Sequence, residues 1–185
     1  MTEEQRENLL DLTPDNAEIR LRAFLEGLGH PAYRARQVVR HLWQAPAAGF
    51  EAMTDVPALL RERLAEQFEI PRLELAARQT SRDGTEKFLF RLRDGEAIET
   101  VAIPEGNRLT LCISSQAGCA LQCAFCATGA MGFSRNLAVH EIAGQVREMR
   151  LLDPPIRVTN VVFMGMGEPL MNWKAVDPAL TILND

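Results

Sequence analysis

Three cysteines stand within eight residues in the stretch GCALQCAFCATG, residues 118–129: Cys119, Cys123 and Cys126. The remaining cysteine of the chain, Cys112, lies just upstream. The chain opens on MTEEQRENLLDL, which is acidic and polar and has none of the character of a signal or transit peptide. Its longest apolar runs are far too short to span a bilayer. A cytoplasmic chain with no membrane contact is therefore expected, and there thiols stay reduced. Four crowded cysteines in that setting read as metal-binding or catalytic, not as a disulfide framework. The loop that carries them must be held by the elements on either side of it.

Those elements follow a βα pattern. LTLCIS, residues 109–114, predicts a strand that feeds the cysteine loop. Val139, Ile142, Ala143, Val146 and Met149 recur at helical spacing and predict a helix over 138–152, broken by Asp153-Pro154-Pro155. TNVVFMG, 159–165, predicts a buried strand, and Trp173 to Asn184 a second helix. Strand, helix, strand, helix implies parallel units. Two such units cannot close or bury a sheet, and the chain stops inside the last helix. The expectation is a fragment of a larger α/β domain.

Upstream the pattern differs. Residues 73–103 alternate, with Asp83-Gly84 and Asp94-Gly95 as hairpin dipeptides, which predicts strands near 73–81, 85–93 and 96–103. Residues 13–70 predict three short helices. Thr13-Pro14-Asp15 opens the first, with Leu21, Phe24, Leu25 and Leu28 inward and Gly29 as its stop. Pro31 opens the second, with Ala35, Val38, Val39 and Leu42 inward; Pro57 opens the third, with Leu60, Leu64 and Phe68. Residues 1–12 read as a frayed lead-in. The expected organisation is a helical accessory domain at 1–72, a β-hairpin extension at 73–108 and the first βα units of an α/β domain at 109–185.

The thiol spacing leaves two chemistries open. A structural zinc site wants four ligands, and the compact motif supplies three. Cys112, on a strand, or His140, on the following helix, is the available fourth. A four-cysteine ferredoxin-type cluster has other spacings and a proline after its last cysteine. Three thiolates also suit a [4Fe–4S] cluster that keeps one iron open.

Cys119-x3-Cys123-x-Phe125-Cys126 resembles the signature of the radical S-adenosyl-L-methionine (SAM) enzymes, and Gly165-Met166-Gly167-Glu168-Pro169 resembles the glycine-rich turn of that superfamily. The longer stretches IETVAIPEGNRLTLC, SSQAGCALQCAFCATGAMGFSRNL and TNVVFMGMGEPLMN resemble the ribosomal RNA adenine-C2 methyltransferases, which also act on transfer RNA. Relatives that methylate adenine C8 share much of the pattern; Pro169 and IPEGNR favour the C2 enzymes.

The resemblance implies an α/β fold that begins a partial (βα)6 barrel, truncated here. It implies a [4Fe–4S] cluster on Cys119, Cys123 and Cys126, and S-adenosyl-L-methionine held on the open iron near Phe125, Gly167 and Glu168. The implied substrates are adenine 2503 of 23S rRNA and adenine 37 of tRNA. In that family a methyl group carried on a cysteine near the C-terminus becomes linked to C2. A base then removes the C2 proton, and a second cysteine frees the RNA by forming a disulfide. Glu99 matches the base and Cys112 the resolving cysteine. Glu99 shares a strand face with Val101 and Ile103 and is expected to project among apolar side chains, a setting that suits a base. No cysteine follows Cys126, so turnover by these residues alone is not expected.

Net charge is −5, which argues weakly against nucleic acid. Between Gly27 and Gly49, however, there is no acidic residue, while His30, Arg34, Arg36, Arg40 and His41 all fall there. With Tyr33 and Trp43, that helix is the candidate RNA surface. A reducing partner such as flavodoxin and a monomeric state complete the expectation. Trp173 and the Met164/Met166 pair read as packing residues.

Overall fold

The computed structural model describes residues 6–185. Its described residues divide into two compact units, 6–72 with 181–185, and 73–180.

In the first unit, strand β1 (Glu7–Asn8) is followed by helices α1 (Pro14–Gly27), α2 (Tyr33–Leu42) and α3 (Ala58–Gln67), and then by β2 (Phe68–Glu69). β1 and β2 pair in parallel, Glu7 against Phe68. Residues 6–12 are therefore no frayed lead-in; the first five residues lie outside the described ones. Leu9 and Leu10 are buried with Leu21, Leu25, Leu42, Leu60, Leu64 and Phe68. Burying one such side chain is worth about 1.5–3 kcal/mol, enough to order a segment that carries no helical or strand periodicity. Two details of α1 differ from expectation. Thr13 makes no capping bond with its side chain, and Pro14 alone sets the helix start. Leu28 lies past the last turn and is exposed.

In the second unit, β3 (Glu74–Thr80), β4 (Glu86–Arg91), β5 (Ala97–Glu105) and β6 (Arg108–Cys112) form an antiparallel meander. The two Asp-Gly turns fall where the dipeptides stand, with Ser81 N bonded to Thr85 O and Leu92 N to Glu96 O at 2.8 Å each. After β6 come β7 (Gln116–Gly118), the single turn α4 (Ala127–Ala130), β8 (Phe133–Asn136), α5 (Val139–Leu151), β9 (Asn160–Val162) and α6 (Trp173–Leu183). β9 adds to β6 in parallel, which completes a five-stranded sheet in the order β3-β4-β5-β6-β9. The hairpin strands and the βα strands thus belong to one sheet.

Strand alternation divides that sheet into two faces. Phe88, Phe90, Ile98, Thr100, Ala102 and Leu111 are buried on one face. Helix α5 covers it with Ile142, Ala143 and Met149, and joins it through Gln145. Gln145 is fully buried and hydrogen-bonded throughout. Its Oε1 accepts from Thr100 Oγ1 and Ser114 N at 2.8 Å each, and its Nε2 donates to Ser114 O at 2.9 Å. Glu99, Val101 and Cys112 point to the opposite face.

Candidate active site

Cys112 ends β6, between Val101 of β5 and Val162 of β9. It is buried, and burial pushes its thiol above the ordinary value, with a backbone hydrogen bond to Met164 pulling the other way. Glu99 lies two residues along β5 from Val101, so the antiparallel register gives it the same face as Cys112 on the adjacent strand. Such diagonal neighbours lie about 7–8 Å apart. The surroundings of Glu99 differ from the expected apolar ones. Its side chain is 43% exposed and its Oε1 meets Lys87 Nζ at 2.8 Å. Lys87 stands across from Val101 on β4, and this cationic neighbour is what strand alternation alone leaves out.

Beyond Cys112 the chain builds a frame for the two motif loops. β7 pairs with β8, and this short ribbon closes the base of the cysteine loop, where Cys119 N donates to Gly132 O at 2.9 Å. Inside the loop Cys126 N donates to Cys123 O at 2.9 Å, and α4 starts directly after Cys126. Cys119 is buried, Cys123 and Cys126 are partly exposed, and all four cysteines of the chain are free thiols. A cavity of about 360 Å³ opens beside Cys123, lined by Gln122, Ala124, Gly129, Ala130 and Gly132. Phe125 projects into solvent, 94% exposed.

The glycine turn after β9 is bonded to the same frame. Gly165 N donates to Ile113 O, Met166 N to Ser114 Oγ at 2.9 Å, and Ser115 N to Met166 O at 2.8 Å. Glu168 N donates to the side chain of Gln116 at 2.9 Å. A Cβ at Gly165 would lie 2.7 Å from Ile113 O, and one at Gly167, whose φ is +97°, would lie 2.5 Å from Gln116 Cβ. Only glycine permits so close an approach. The Glu168 carboxylate accepts from Leu170 N at 3.0 Å and so caps the 3-10 turn Pro169–Asn172. Met166 is buried at this turn, but Met164 is 80% exposed and Trp173 half exposed, so neither of the latter packs as expected.

Sequence reasoning missed the polar residues of the frame: Ser114, Gln116, Gln145 and Asn172. Asn172 Nδ2 donates to Ser115 O and Leu137 O, at 2.8 Å each. The legible signal was Gln145, a polar residue set three positions after Ile142 in an apolar stripe.

In the first unit the candidate RNA helix is largely neutralised by neighbours. Arg36 pairs with Glu18 at 3.0 Å, Arg40 with Asp55 at 3.5 Å, and Arg34 donates to Gln37 and to Asp55 O. Trp43 is 8% exposed and offers no face for stacking, whereas Tyr33 is 56% exposed with the Arg34 guanidinium 4.9 Å over its ring.

Two family models match the chain. The N-terminal domain of a ribosomal RNA large subunit methyltransferase matches residues 7–70, and the radical SAM superfamily matches residues 113–185. A probable dual-specificity RNA methyltransferase RlmN from Gemmatimonas aurantiaca is 66% identical over 178 residues, 96% of this chain and 49% of the relative. The dual-specificity RNA methyltransferase RlmN of Alkalilimnicola ehrlichii is 48% identical, over 96% and 49%.

The chain belongs to the radical SAM RNA methyltransferase family.

The crystal structure of a radical SAM methyltransferase from Sphaerobacter thermophilus superimposes with a TM-score of 0.83 at 40% identity, over 97% of this chain and 52% of that one. The chain spans about half the length of the curated relatives it matches. As a radical SAM family member it has the family's mixed α/β fold, and the family in general uses SAM with a [4Fe–4S] cluster. The donor chemistry fits such a cluster: three free thiols in one loop, beside a cavity, with no histidine among them. Among the described residues no three His, Cys, Asp or Glu side chains converge on a metal position. No described helix is long and apolar enough to cross a membrane.

Proposed function

We propose that this chain forms the cluster-loop and proton-acceptor portion of a radical SAM methyltransferase that methylates adenine C2, at adenine 2503 of 23S rRNA and adenine 37 of tRNA. One observation carries the reading. The parallel strands β6 and β9 end side by side, each leads into one of the two motif loops, and Glu99 and Cys112 face the same side of that sheet. In open parallel sheets, ligands bind beyond the carboxyl ends of the strands.

C2 of adenine is electron-poor and its C–H is not acidic, so a cofactor must supply the reactivity. A [4Fe–4S] cluster, when bound, supplies the electron that makes SAM a radical source. Cys119, Cys123 and Cys126 would hold it as thiolates. Phe125 would lie near the SAM adenine, and the backbone at Gly167 with Glu168 would receive the SAM amino group. Glu99 accepts the C2 proton and exchanges its Lys87 partner for the substrate. Cys112 resolves the RNA–protein link by disulfide formation with a cysteine that residues 1–185 do not contain. Residues 1–72 contact the RNA through Tyr33 and Arg34, with Trp43 left in the core. A reducing partner such as flavodoxin, action as a monomer and a cytoplasmic location belong to the same reading.

The test is anaerobic reconstitution with iron and sulfide. The expected result is a brown protein whose reduced cluster gives an electron paramagnetic resonance signal that SAM alters, and that Cys123→Ala abolishes. A colourless protein with one zinc and no response to SAM sinks the proposal and favours a zinc-binding RNA adaptor. Mass spectrometry of RNA from cells with and without the gene then separates C2 from C8 methylation.

A further inference from the structure

Gln116 is almost fully buried and its side-chain amide is spent on two partners. Oε1 accepts from Glu168 N at 2.9 Å, and Nε2 donates to Asn136 Oδ1 at 2.8 Å. The orientation is forced: a backbone N–H can only donate, so the amide oxygen must face Glu168 and the nitrogen must face Asn136. The backbone of Gln116 adds a third tie, from its N–H to Met166 O at 3.2 Å. One residue therefore touches both ends of the Met166–Glu168 turn and, through Asn136 on β8, the ribbon that closes the cysteine loop. The aliphatic part of the side chain fills the space that a Cβ at Gly167 would need.

We propose that Gln116 is the positioning residue that sets the Gly167–Glu168 segment relative to the cysteine loop, and so fixes the span that SAM must bridge. This rests on the reading of those two loops as the SAM site. Gln116 touches neither cofactor nor substrate in this role. It acts through the Glu168 amide, which it holds in one orientation, and through the glycine that packs on it. A hydrogen bond of this kind removed from a buried donor changes an equilibrium by about tenfold.

The experiment compares wild type, Gln116→Leu, Gln116→Glu and Asn136→Ala as the full 185-residue chain. Two readouts are used: hydrogen exchange of the Glu168 amide without cofactors, and SAM binding to the iron-loaded protein. Gln116→Leu is expected to expose the Glu168 amide to exchange and to weaken SAM binding about tenfold, with iron per chain unchanged. Gln116→Glu keeps the acceptor for Glu168 N but turns a second acceptor on Asn136 Oδ1, and is expected to protect the Glu168 amide better than Gln116→Leu does without restoring wild-type SAM binding. Asn136→Ala removes the outer anchor together with the 3.5 Å bond from Asn136 Nδ2 to Met171 O, at an exposed position, and is expected to show a smaller loss in both readouts; it carries the test should Gln116→Leu fail to fold. Unchanged exchange and unchanged SAM affinity in Gln116→Leu, or in Asn136→Ala if Gln116→Leu does not fold, overturn the inference while wild-type SAM binding leaves the proposed function standing. Wild-type chain that takes up iron but binds no SAM overturns both.

Discussion

Cys112 and Glu99 share one face of the central sheet on adjacent strands, with Val101 as the register partner of the cysteine and the near neighbour of the carboxylate. The thiol is buried and the carboxylate is partly open to solvent. Two groups with different access to water and a common outlook can divide an acid–base task and a thiol task at one place. β6, the strand that carries Cys112, is flanked on one side by an antiparallel partner and on the other by a parallel one, so it is the join between the hairpin meander and the βα units.

Burial sets the titration of Cys112. Its thiol is pushed above the ordinary value, so the fold favours the neutral form. The stability this contributes is complete below the unfolded-state thiol value of about 8.5 and is lost as pH rises through the folded one. Alkylation of Cys112 by iodoacetamide, followed by peptide mass spectrometry, is expected to show its midpoint above that of the same thiol in urea. Cys112→Ser is expected to flatten the alkaline end of the stability curve. A native midpoint at or below the unfolded one contradicts this account.

How much of this was legible beforehand depends on what kind of force fixes each part. Strands β3 to β6 and helix α5 follow from alternation, from the Asp-Gly dipeptides and from a 3.6-residue stripe, because each is local. β1 and β2 did not, since a two-residue parallel pair between Glu7–Asn8 and Phe68–Glu69 leaves no periodic trace. The three loop cysteines and the glycine turn were visible as motifs. Their frame was not, because Ser114, Gln116 and Asn172 act through backbone groups distant in sequence. Alternation places Glu99 on its face of β5 but does not give its environment: Lys87 reaches it across a neighbouring strand, and no single-strand pattern reports a cross-strand charge.

Gln145 joins α5 to the sheet with both ends of its amide. Gln145→Leu keeps the size and removes every bond, which leaves the Thr100 hydroxyl and the Ser114 N–H and C=O buried without this partner. An unsatisfied buried group costs about 1–3 kcal/mol. A loss of roughly 3 kcal/mol is therefore expected in urea unfolding of the sheet-bearing unit. Gln145→Glu keeps the acceptor for Thr100 and Ser114 N but turns a buried carboxyl on the Ser114 carbonyl, and is expected to be destabilised as well. Equal stability of Gln145→Leu and wild type rules the hub out.

The glycine turn makes a prediction with an internal control. Gly165→Ala drives a Cβ to 2.7 Å from a backbone oxygen of β6's extension, which cannot rotate away. Gly132→Ala meets nothing within 4 Å, and only its φ of +83° is unfavourable. Placing alanine in a left-handed conformation costs about 1–2 kcal/mol. Thermal unfolding is expected to show a clearly larger loss for Gly165→Ala than for Gly132→Ala. The reverse order excludes close approach as the reason for the glycine at 165.

Arg135 holds the start of α5 against the β4–β5 turn. Its Nη1 and Nη2 meet Glu141 Oε2 and Oε1 at 2.7 and 2.8 Å, and its Nε donates to Asp94. Glu141 is 7% exposed and also accepts from Ala138 N at 2.8 Å, so it caps the helix from within; Ala138 itself has no side chain that could cap. Both carboxylates raise the Arg135 guanidinium further, Glu141 most. Arg135→Ala leaves Glu141 buried without its cation, and loss of one partner of a buried pair costs about 3–5 kcal/mol. Because Arg135 is partly open to water, a value at or below the lower end, about 3 kcal/mol, is expected. Arg135→Lys restores charge without the two-pronged geometry and is expected to recover only part. The Asp94 carboxyl reports the same contact. The Arg135 hydrogen bond holds it below its ordinary value, so its contribution is present above the unfolded value and is lost as pH falls through the folded one. Carboxyl titration by nuclear magnetic resonance is expected to show Asp94 moving up toward the ordinary value in Arg135→Ala. An Asp94 titration unmoved by that substitution removes Arg135 as its cause.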